Sequence, residues 1–408
     1  MTRDVLLAVE PSWDAPLAAT LSRVPGLRVV RRCVDLPDLL GAAEAGLGEL
    51  AVVSAGLRDL DRECVVGLQE AGLQVVGVHS PADEGAERRL AQWGVSATCS
   101  VEDPLPRWEE VVAGLGAAPG PTPEEGAAVD GPAGGRLDPL PEPTGRVVAV
   151  WGPPGAPGRT TVAVELAALL ARRSETMLVD ADTHAPGLGQ HLALLEEASG
   201  LIAAVRASEE GRLDAPALAG CARRVGERLR VLTGIGRADR WPEVRAGALE
   251  DVLGMARRLV DLVVVDLASP VEDDEVLAYD TRAPRRNAAA LTVLGAADLV
   301  VVVGGADAVA LQRLIRSTDV LDPVLAGTPQ VLVLNRTRRT AAREPELQET
   351  AERHLGRRAD LLLPEDRAVV DRALLAGRPV VEEAPRSALA RRLGDLVGLV
   401  DTRATMGA

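Results

Sequence analysis

The residue types best suited to chemistry lie in a loop rich in glycine and proline at residues 153–161, with the sequence PPGAPGRTT. A nucleotide's phosphates are bound where backbone N–H groups gather at a helix N-terminus, next to a cation and a hydroxyl that can reach Mg²⁺. Arg159 offers the cation and Thr160 the hydroxyl. The spacing predicts a phosphate-binding loop with contacts from Gly155, Ala156, Gly158, Arg159, Thr160 and Thr161.

The segments around this loop follow the order that a phosphate loop requires. The apolar run RVVAVW precedes it, and the stretch after it predicts a helix with one apolar face formed by Ala163, Leu166, Ala167 and Leu170. Uniformly apolar runs, typical of a parallel sheet covered on both faces, follow at residues 176–180, 229–234, 261–267, 298–303 and 330–334. We therefore predict an α/β fold, with a P-loop NTPase-type α/β/α domain over residues 146–408.

The front of the chain predicts a second, smaller α/β domain. Five short apolar runs alternate with helix-like stretches over residues 1–115, at 5–9, 27–30, 50–54, 73–78 and 95–101. Five such units resemble a response-regulator receiver domain, which is a flavodoxin-like parallel sheet. That family needs an Asp at the end of the third strand, but Ser54 stands there, Glu10 is the one acidic candidate after the first strand, and the chain has no lysine. The resemblance thus implies a degenerate receiver-like domain that serves for interaction or dimerisation.

The segment between the two predicted domains, residues 116–145, is dense in proline, glycine and acidic residues and has no apolar periodicity. This composition predicts a flexible, disordered linker. The chain is therefore divided into residues 1–115, the linker 116–145, and residues 146–408.

The loop and the motifs after it resemble those of the deviant-loop ATPases of the MinD/ParA family, whose loop reads KGGxGKTT. Asp180 and Asp182, in LVDADTHAPGLGQHL, resemble that family's first switch. Asp266, which ends DLVVVD, resembles its Walker-B-like aspartate, and LASPVEDDE resembles its second switch. Asn335 in VLVLNR and Pro364 in LLLPED stand where relatives contact the adenine base.

This resemblance implies binding of ATP with Mg²⁺. Thr160 would hold the ion directly, and Asp180 and Asp266 would hold it through water. Asp182 would orient the attacking water and is the predicted catalytic residue. On a plainer interpretation the aspartates are merely solvated, because a short apolar strand ending in Asp is common in α/β proteins.

Three residues of the loop differ from the family's pattern. Arg159 replaces the phosphate-contacting Lys with a longer, planar cation. Pro154 replaces the signature Lys that in relatives reaches across an ATP-bridged dimer, and Pro157 removes a backbone N–H donor. All three changes weaken the site, so the ATPase activity is expected to be slow or absent, and a loop that binds no nucleotide stays an alternative.

Charge and composition limit the partners. The formal net charge of −15 argues against broad nucleic-acid or anionic-membrane binding. Three arginines near the segment that resembles the second switch are expected to lie in a solvated loop, with contact to a partner, to nucleic acid or to a second subunit as the alternative: Arg282, Arg285 and Arg286. The four cysteines form no CxxC pair, which argues against a disulfide framework or a zinc site. No signal peptide or membrane span is apparent, so a cytoplasmic location is predicted.

The last helix is predicted to pack on the core rather than to bind a membrane, which leaves membrane contact at most peripheral. Its predicted apolar face consists of Ala388, Leu389, Leu393, Leu396 and Val397, and its basic content is slight.

A receiver-like domain without its phosphoacceptor, joined to a MinD-like domain, resembles the CpaE/TadZ group of placement factors for pilus assembly, with septum-site determining relatives. Our first hypothesis is therefore an ATP-binding localisation scaffold. It would form a homodimer and recruit protein partners of the pilus-secretion or division machinery, at a polar or septal position. The alternatives are an active ParA/MinD-type partitioning or cell-division ATPase and a nucleotide-free pseudo-ATPase.

Overall fold

The computed structural model describes residues 2–58, 60–81, 83–115, 144–155, 158–194, 198–272, 284–325 and 327–406. Most of the predicted linker, residues 116–143, lies outside these ranges, as do three residues singled out above: Ala156, Pro157 and Arg282. The chain forms two compact units. One contains Met1–Pro141 with Ser208–Arg212, and the other contains Glu142–Ala207 with Leu213–Ala408.

The first unit is built on a five-stranded parallel sheet in the order β2-β1-β3-β4-β5. Its strands are β1 Arg3–Ala8, β2 Leu27–Arg32, β3 Leu50–Ser54, β4 Gln74–His79 and β5 Ala97–Ser100. Its helices are α1 Pro11–Leu21, α2 Leu36–Glu44, α3 Arg62–Glu70, α4 Glu84–Gln92 and α5 Leu105–Gly114. The strand order is that of flavodoxin-like sheets, and buried side chains cover both faces. The predicted α/β class is confirmed for this unit.

At the carboxyl edge of the first sheet, the end of β3 carries a hydroxyl and no carboxylate. Ser54 is fully buried, and its Oγ accepts a hydrogen bond from the backbone N–H of Glu10 at 3.2 Å. The hydroxyl thus ties the ends of two strands together.

The second unit contains an eight-stranded sheet in the order β13-β12-β11-β6-β10-β7-β9-β8. Its strands are β6 Arg146–Trp151, β7 Thr176–Ala181, β8 Arg223–Arg224, β9 Leu229–Leu232, β10 Leu262–Leu267, β11 Leu299–Gly305, β12 Gln330–Thr337 and β13 Leu361–Pro364. All are parallel to their neighbours except β8, which runs antiparallel to β9 at the sheet's edge. The apolar runs predicted between residues 146 and 334 all coincide with strands of this sheet.

Helices cover both faces of this sheet. They are α6 Arg159–Leu170, α7 Leu188–His191, α8 Gly200–Glu209, α9 Ala215–Cys221, α10 Ala246–Leu259, α11 Ala288–Ala296, α12 Ala308–Val324, α13 Glu344–Leu355, α14 Arg367–Ala376, α15 Val380–Glu383 and α16 Ala388–Met406. One face packs against α8 to α13, and the other packs against α6, α7 and α14 to α16. The predicted three-layer α/β/α arrangement is confirmed.

The final helix packs on the core along most of its predicted face. Leu389, Leu393 and Leu396 are buried, and Val397 is half-buried. Ala388 differs from the prediction, because it is the first residue of α16 and is exposed. Among the described residues, no helix is long and apolar enough to cross a membrane.

Candidate functional site

The candidate site lies at the carboxyl edge of the second sheet, where β6, β7, β10 and β12 end. In parallel sheets ligands bind outside the carboxyl ends of the strands. Asp180 of β7 and Asp266 of β10 are direct register partners, so their side chains start from adjacent positions. The phosphate loop follows β6, which lies between β10 and β11 in the sheet.

The predicted phosphate loop leads directly into α6. Gly158 precedes that helix with φ of 90°, a left-handed conformation that glycine adopts without strain. A Cβ atom at this position would also lie 2.3 Å from Nδ2 of Asn335, at the end of β12. Gly158 is thus required both by its backbone and by its neighbour, and the predicted base-contacting Asn335 lies against the loop.

The guanidinium of Arg159 contacts the segments that follow β6, β7 and β10. Its Nη1 donates to the backbone O of Gly152 at 3.2 Å and to Oγ of Ser269, which follows β10. Its Nη2 lies 3.5 Å from Oδ2 of Asp182. Only 16% of this side chain is exposed, so its partners are largely shielded from water. Arg159 therefore joins the phosphate loop to both segments that resemble switches.

Both oxygens of Asp182, the predicted catalytic residue, already have partners. Oδ1 accepts backbone N–H groups of His184 at 2.9 Å and Ala185 at 2.8 Å, and Oδ2 faces Arg159. The carboxylate of Asp182 therefore stabilises the turn that follows β7 by accepting its backbone N–H groups.

Asp180 also accepts hydrogen bonds from the segment that follows β7. Its Oδ2 accepts N–H groups of Gly187 and Leu188, both at 3.1 Å, at the start of α7. Burial raises the pKa of Asp180, the N–H of Leu188 opposes this, and the charge of Asp182 adds to it. The backbone of Gly234 comes so close that a Cβ there would lie 2.6 Å from Cγ of Asp180.

Asp266 is the one buried carboxylate here without a hydrogen bond. It is fully buried, and neither oxygen finds a partner of normal geometry among the described residues. Burial and the neighbouring Asp180 raise the pKa of Asp266 well above its ordinary value, and the Thr160 hydroxyl and Arg159 act in the opposite direction. A buried carboxylate left in this state is costly, so a charged ligand is expected to compensate it.

These residues fit a magnesium ion. Thr160 offers a hydroxyl beside the unpartnered Asp266. The segment after β7 approaches closely enough that a Cβ on Gly187 would lie 3.8 Å from Oγ1 of Thr160. Among the described residues, no group of three or more His, Cys, Asp or Glu side chains could hold a metal ion. Mg²⁺ in nucleotide sites is usually bound by one or two carboxylates together with phosphates and water.

A second set of contacts joins the segment after β7 to the residues that immediately precede α11. Arg286 donates to Oγ1 and O of Thr183 at 3.2 and 3.1 Å, and its guanidinium lies over the ring of Trp241 at 5.1 Å. His184 Nε2 lies 3.1 Å from Oδ1 of Asn287. The prediction that Arg286 is simply solvated is therefore wrong, because this side chain is half-buried between two segments.

Pro364 lies at the end of β13, in register with Thr337 of β12. Two strands, β12 and β11, separate β13 from β6. Between Asn335 and Thr337, Arg336 has φ of 58°, which is uncommon for a residue with a side chain.

Three contributors to the site were missed by sequence reasoning: Ser269, Gly234 and Arg313, whose Nη1 lies 3.5 Å from the backbone O of Pro154. Ser269 follows Asp266 by three residues, so its nearness to the loop could have been inferred. Gly234 lies in the loop after β9 and Arg313 lies in α12, and nothing local in their sequences points to the phosphate-loop segment.

Comparison with solved structures identifies the fold of the second unit. The chain is similar to a ParA-family ATPase from Chlorobium tepidum, with a TM-score of 0.52 and 19% identity over 62% of this chain and 98% of that one. It is also similar to the cell division ATPase MinD from Pyrococcus furiosus, with a TM-score of 0.51 and 19% identity over 63% of this chain and 99% of that one. These shares exceed the length of the first unit, so both matches include the second.

The second unit has the ParA/MinD fold. The sequence matches no family model and no curated protein. At 19% identity the structural likeness concerns the fold alone, so the chemistry of the site must be argued from its own residues. In this chain, the loop after β6 leads into α6, and the ends of β7 and β10 carry the buried aspartates described above.

Proposed function

We propose that this protein binds Mg-ATP at the loop after β6 and acts as a localisation scaffold of the CpaE/TadZ type, with weak or absent ATP hydrolysis. The observation that carries the proposal is the buried, unpartnered carboxylate of Asp266 beside Thr160. Asp266 lies near the end of β10 and Thr160 lies at the start of α6, within a ParA/MinD fold.

Binding is supported by the groups that converge on this point. The N-terminus of α6 favours negative charge, and Thr160 and Asp266, with Asp180 next to it, offer oxygen ligands for Mg²⁺. When bound, the ion would neutralise charge on the phosphates. Gly155 and Gly158 both have positive φ, so the loop follows a path that ordinary residues adopt with strain.

Slow hydrolysis is supported by the state of Asp182. An acceptor that orients an attacking water must have a lone pair available for it. Here two backbone N–H groups and the Arg159 guanidinium surround the carboxylate. For hydrolysis, Asp182 must first lose one of these contacts, and the free energy of breaking it adds to the activation barrier.

The scaffold role is supported by the two-unit organisation. The first unit has a flavodoxin-like sheet whose third strand ends in a buried Ser54 rather than a carboxylate. Such a unit offers surfaces for interaction without phosphoacceptor chemistry. We propose that it contributes to homodimerisation or to recruitment of protein partners, and that the protein works in the cytoplasm at a polar or septal position.

The binding step is tested by calorimetry with Mg-ATP on the full chain and on Thr160→Ala. Wild type is expected to bind. The variant is expected to lose about tenfold in affinity with Mg²⁺ present, and little when EDTA has removed the ion, because the hydroxyl acts through the ion. The removed hydroxyl is worth roughly 1–2 kcal/mol, which sets this magnitude. No binding by wild type would leave the pseudo-ATPase alternative, and equal loss with and without Mg²⁺ would contradict the assigned role of Thr160.

The catalytic assignment is tested by phosphate release from Asp182→Ala. We expect any slow turnover of wild type to disappear while Mg-ATP affinity stays within about threefold, since this carboxylate is proposed to act on the attacking water. The matched control is Asp239→Ala, an exposed aspartate elsewhere in the unit, which should leave both quantities unchanged. Turnover retained in Asp182→Ala would refute the assignment.

A further inference from the structure

Arg313 of α12 reaches the opposite end of the phosphate loop from Arg159. Its Nη1 lies 3.5 Å from the backbone O of Pro154. A Cβ built on Gly155 would lie 2.2 Å from the same nitrogen, so the guanidinium fills the space directly over that glycine. An exposed arginine from a distant part of the chain thus lies on the loop.

The packing of α12 brings this side chain to the loop. Gly304 of β11 has no side chain, and a Cβ there would lie 2.6 Å from Cδ2 of Leu314. Leu314 is buried with 1% exposure, so the helix is packed closely against the end of β11. The side chain of Asp307 caps the same helix by accepting N–H groups of Val309 and Ala310. Arg313, next to Leu314, is therefore held above the loop by a fixed helix.

The two arginines at the loop differ in what they already contact. Arg159 is engaged with Gly152, Ser269 and Asp182. Arg313 is exposed, and no carboxylate among the described residues lies within ion-pair distance of it. A guanidinium has five N–H donors, and the contact with the carbonyl of Pro154 uses one of them at the limit of hydrogen-bond distance. Most of its donors therefore remain for a ligand.

An arginine with free donors beside an anion-binding loop is suited to phosphate. Guanidinium groups bind phosphate through two parallel N–H···O bonds, and they keep their charge at any ordinary pH. Within a chain of net charge −15, a cation that is not neutralised by a neighbouring carboxylate also offsets the repulsion that the protein exerts on a nucleotide.

We infer that Arg313 is a second phosphate-binding cation of the site and contacts the phosphate chain of the bound nucleotide from the side opposite Arg159. This inference rests on the proposed function. It assigns to α12 a direct part in nucleotide affinity, so that the loop, which itself carries one cation, acts together with a residue more than 150 positions away.

The inference is tested by calorimetry with Mg-ATP on the full chain and on three variants. Arg313→Gln removes the charge and most donors, and is expected to weaken binding about tenfold, as for loss of a hydrogen bond to a charged group. Arg316→Gln is the matched control, because it removes the same charge from an exposed position one turn further along α12. It is expected to change affinity less than twofold. Arg313→Lys keeps the charge and is expected to bind at least threefold more tightly than Arg313→Gln.

The possible outcomes distinguish failure of the role of Arg313 from failure of the proposed Mg-ATP binding. Wild-type binding without a difference between Arg313→Gln and Arg316→Gln would overturn the role of Arg313 and leave the proposed function intact. So would Arg313→Lys binding no more tightly than Arg313→Gln. Absence of nucleotide binding by wild type would overturn both. Because Arg313 is exposed, thermal unfolding of all three variants should match that of wild type.

Discussion

Arg159 contacts groups from three different segments of the second unit. A guanidinium spreads its donors over a planar fork, so one side chain reaches the carbonyl of Gly152, the hydroxyl of Ser269 and the carboxylate of Asp182 together. A lysine ammonium is a compact group on a single stem and is less suited to bridge three partners. The arginine therefore links the loop after β6 to the segments after β7 and β10.

Arg159→Lys is expected to raise the rate of phosphate release. Loss of the fork frees Asp182 from one partner, and an ion pair of this kind is worth about 1 kcal/mol, which corresponds to about a fivefold change. The measurement is single-turnover phosphate release at saturating Mg-ATP, so that differences in affinity do not contribute. A rate equal to or below that of wild type would show that the contact of Arg159 with Asp182 does not limit turnover.

At the scale of elements, α6 connects the phosphate loop to the C-terminal helices through a buried carboxylate. Glu165, in the middle of α6, is 2% exposed and accepts the N–H groups of Val380 and Val381 at 2.5 and 2.9 Å. These are the first residues of α15. Burial raises the pKa of Glu165 to about 7, although the two N–H groups oppose the shift. The carboxyl group of Glu165 therefore changes its protonation state near neutral pH.

Glu165 gives the stability of the second unit a defined pH dependence. Its folded pKa of about 7 lies above the ordinary value of 4.5, so between these values the folded chain holds a proton that the unfolded chain has released. This contribution is fully present below pH 4.5 and is lost as the pH rises through 7, by up to about 3 kcal/mol. Denaturant unfolding of wild type and Glu165→Gln from pH 5 to pH 8 should show a shallower decline in the variant.

The variant also leaves one backbone N–H of α15 without an acceptor, because an amide has a single oxygen. This costs roughly 1–3 kcal/mol at every pH, so the comparison must use the slope and not the absolute stability. Parallel curves for the two proteins would contradict the role of Glu165.

The loop after β9 provides a second test at this scale, since two glycines in it differ in their surroundings. A Cβ at Gly234 would lie 2.6 Å from Cγ of Asp180, whereas nothing lies within 4 Å of a Cβ at Gly236. We expect Gly234→Ala to lower the free energy of unfolding by about 1–3 kcal/mol, the usual cost of overpacking. Gly236→Ala should stay within about 0.5 kcal/mol of wild type. Equal changes in the free energy of unfolding for the two variants would mean that the backbone near Asp180 can move to accommodate a Cβ at Gly234.

At the scale of the whole molecule, the net charge favours the proposed scaffold function over an active partitioning ATPase that binds DNA. Sequence-independent binding to nucleic acid relies on basic residues that release counterions, and the net charge of −15 opposes this. Many arginines of the described chain are also paired with carboxylates, as Arg173 is with Asp401 and Arg403 with Asp360. In the part of the chain that the structure describes, these pairs neutralise much of the positive charge that nucleic acid would need.

We expect no detectable binding of a random-sequence DNA duplex at about 150 mM salt, with or without Mg-ATP, because binding that depends on phosphate contacts weakens steeply with salt. Fluorescence anisotropy of labelled duplex measures this directly. The same titration in low salt shows whether weak electrostatic binding exists at all. Tight binding that appears only with Mg-ATP at this salt concentration would favour the partitioning alternative.

The amino-acid sequence by itself determined the α/β class and nearly all strands, and it indicated the candidate site residues. These features are local: uniformly apolar runs predict buried parallel strands, and a glycine-rich loop between strand and helix predicts a phosphate loop. Two strands escaped prediction, β8 with two residues and β13 with four, because such short segments carry too little pattern.

The tertiary structure alone decided which of these residues meet. The strand order of the second sheet brings Asp180 beside Asp266 and places Ser269 at the loop. Only packing could show that Arg159 is engaged by Asp182, and that Arg313 reaches Pro154 across 159 positions of sequence. Sequence patterns report the burial and conformation of neighbouring residues, whereas these contacts depend on how distant elements are arranged around one sheet edge.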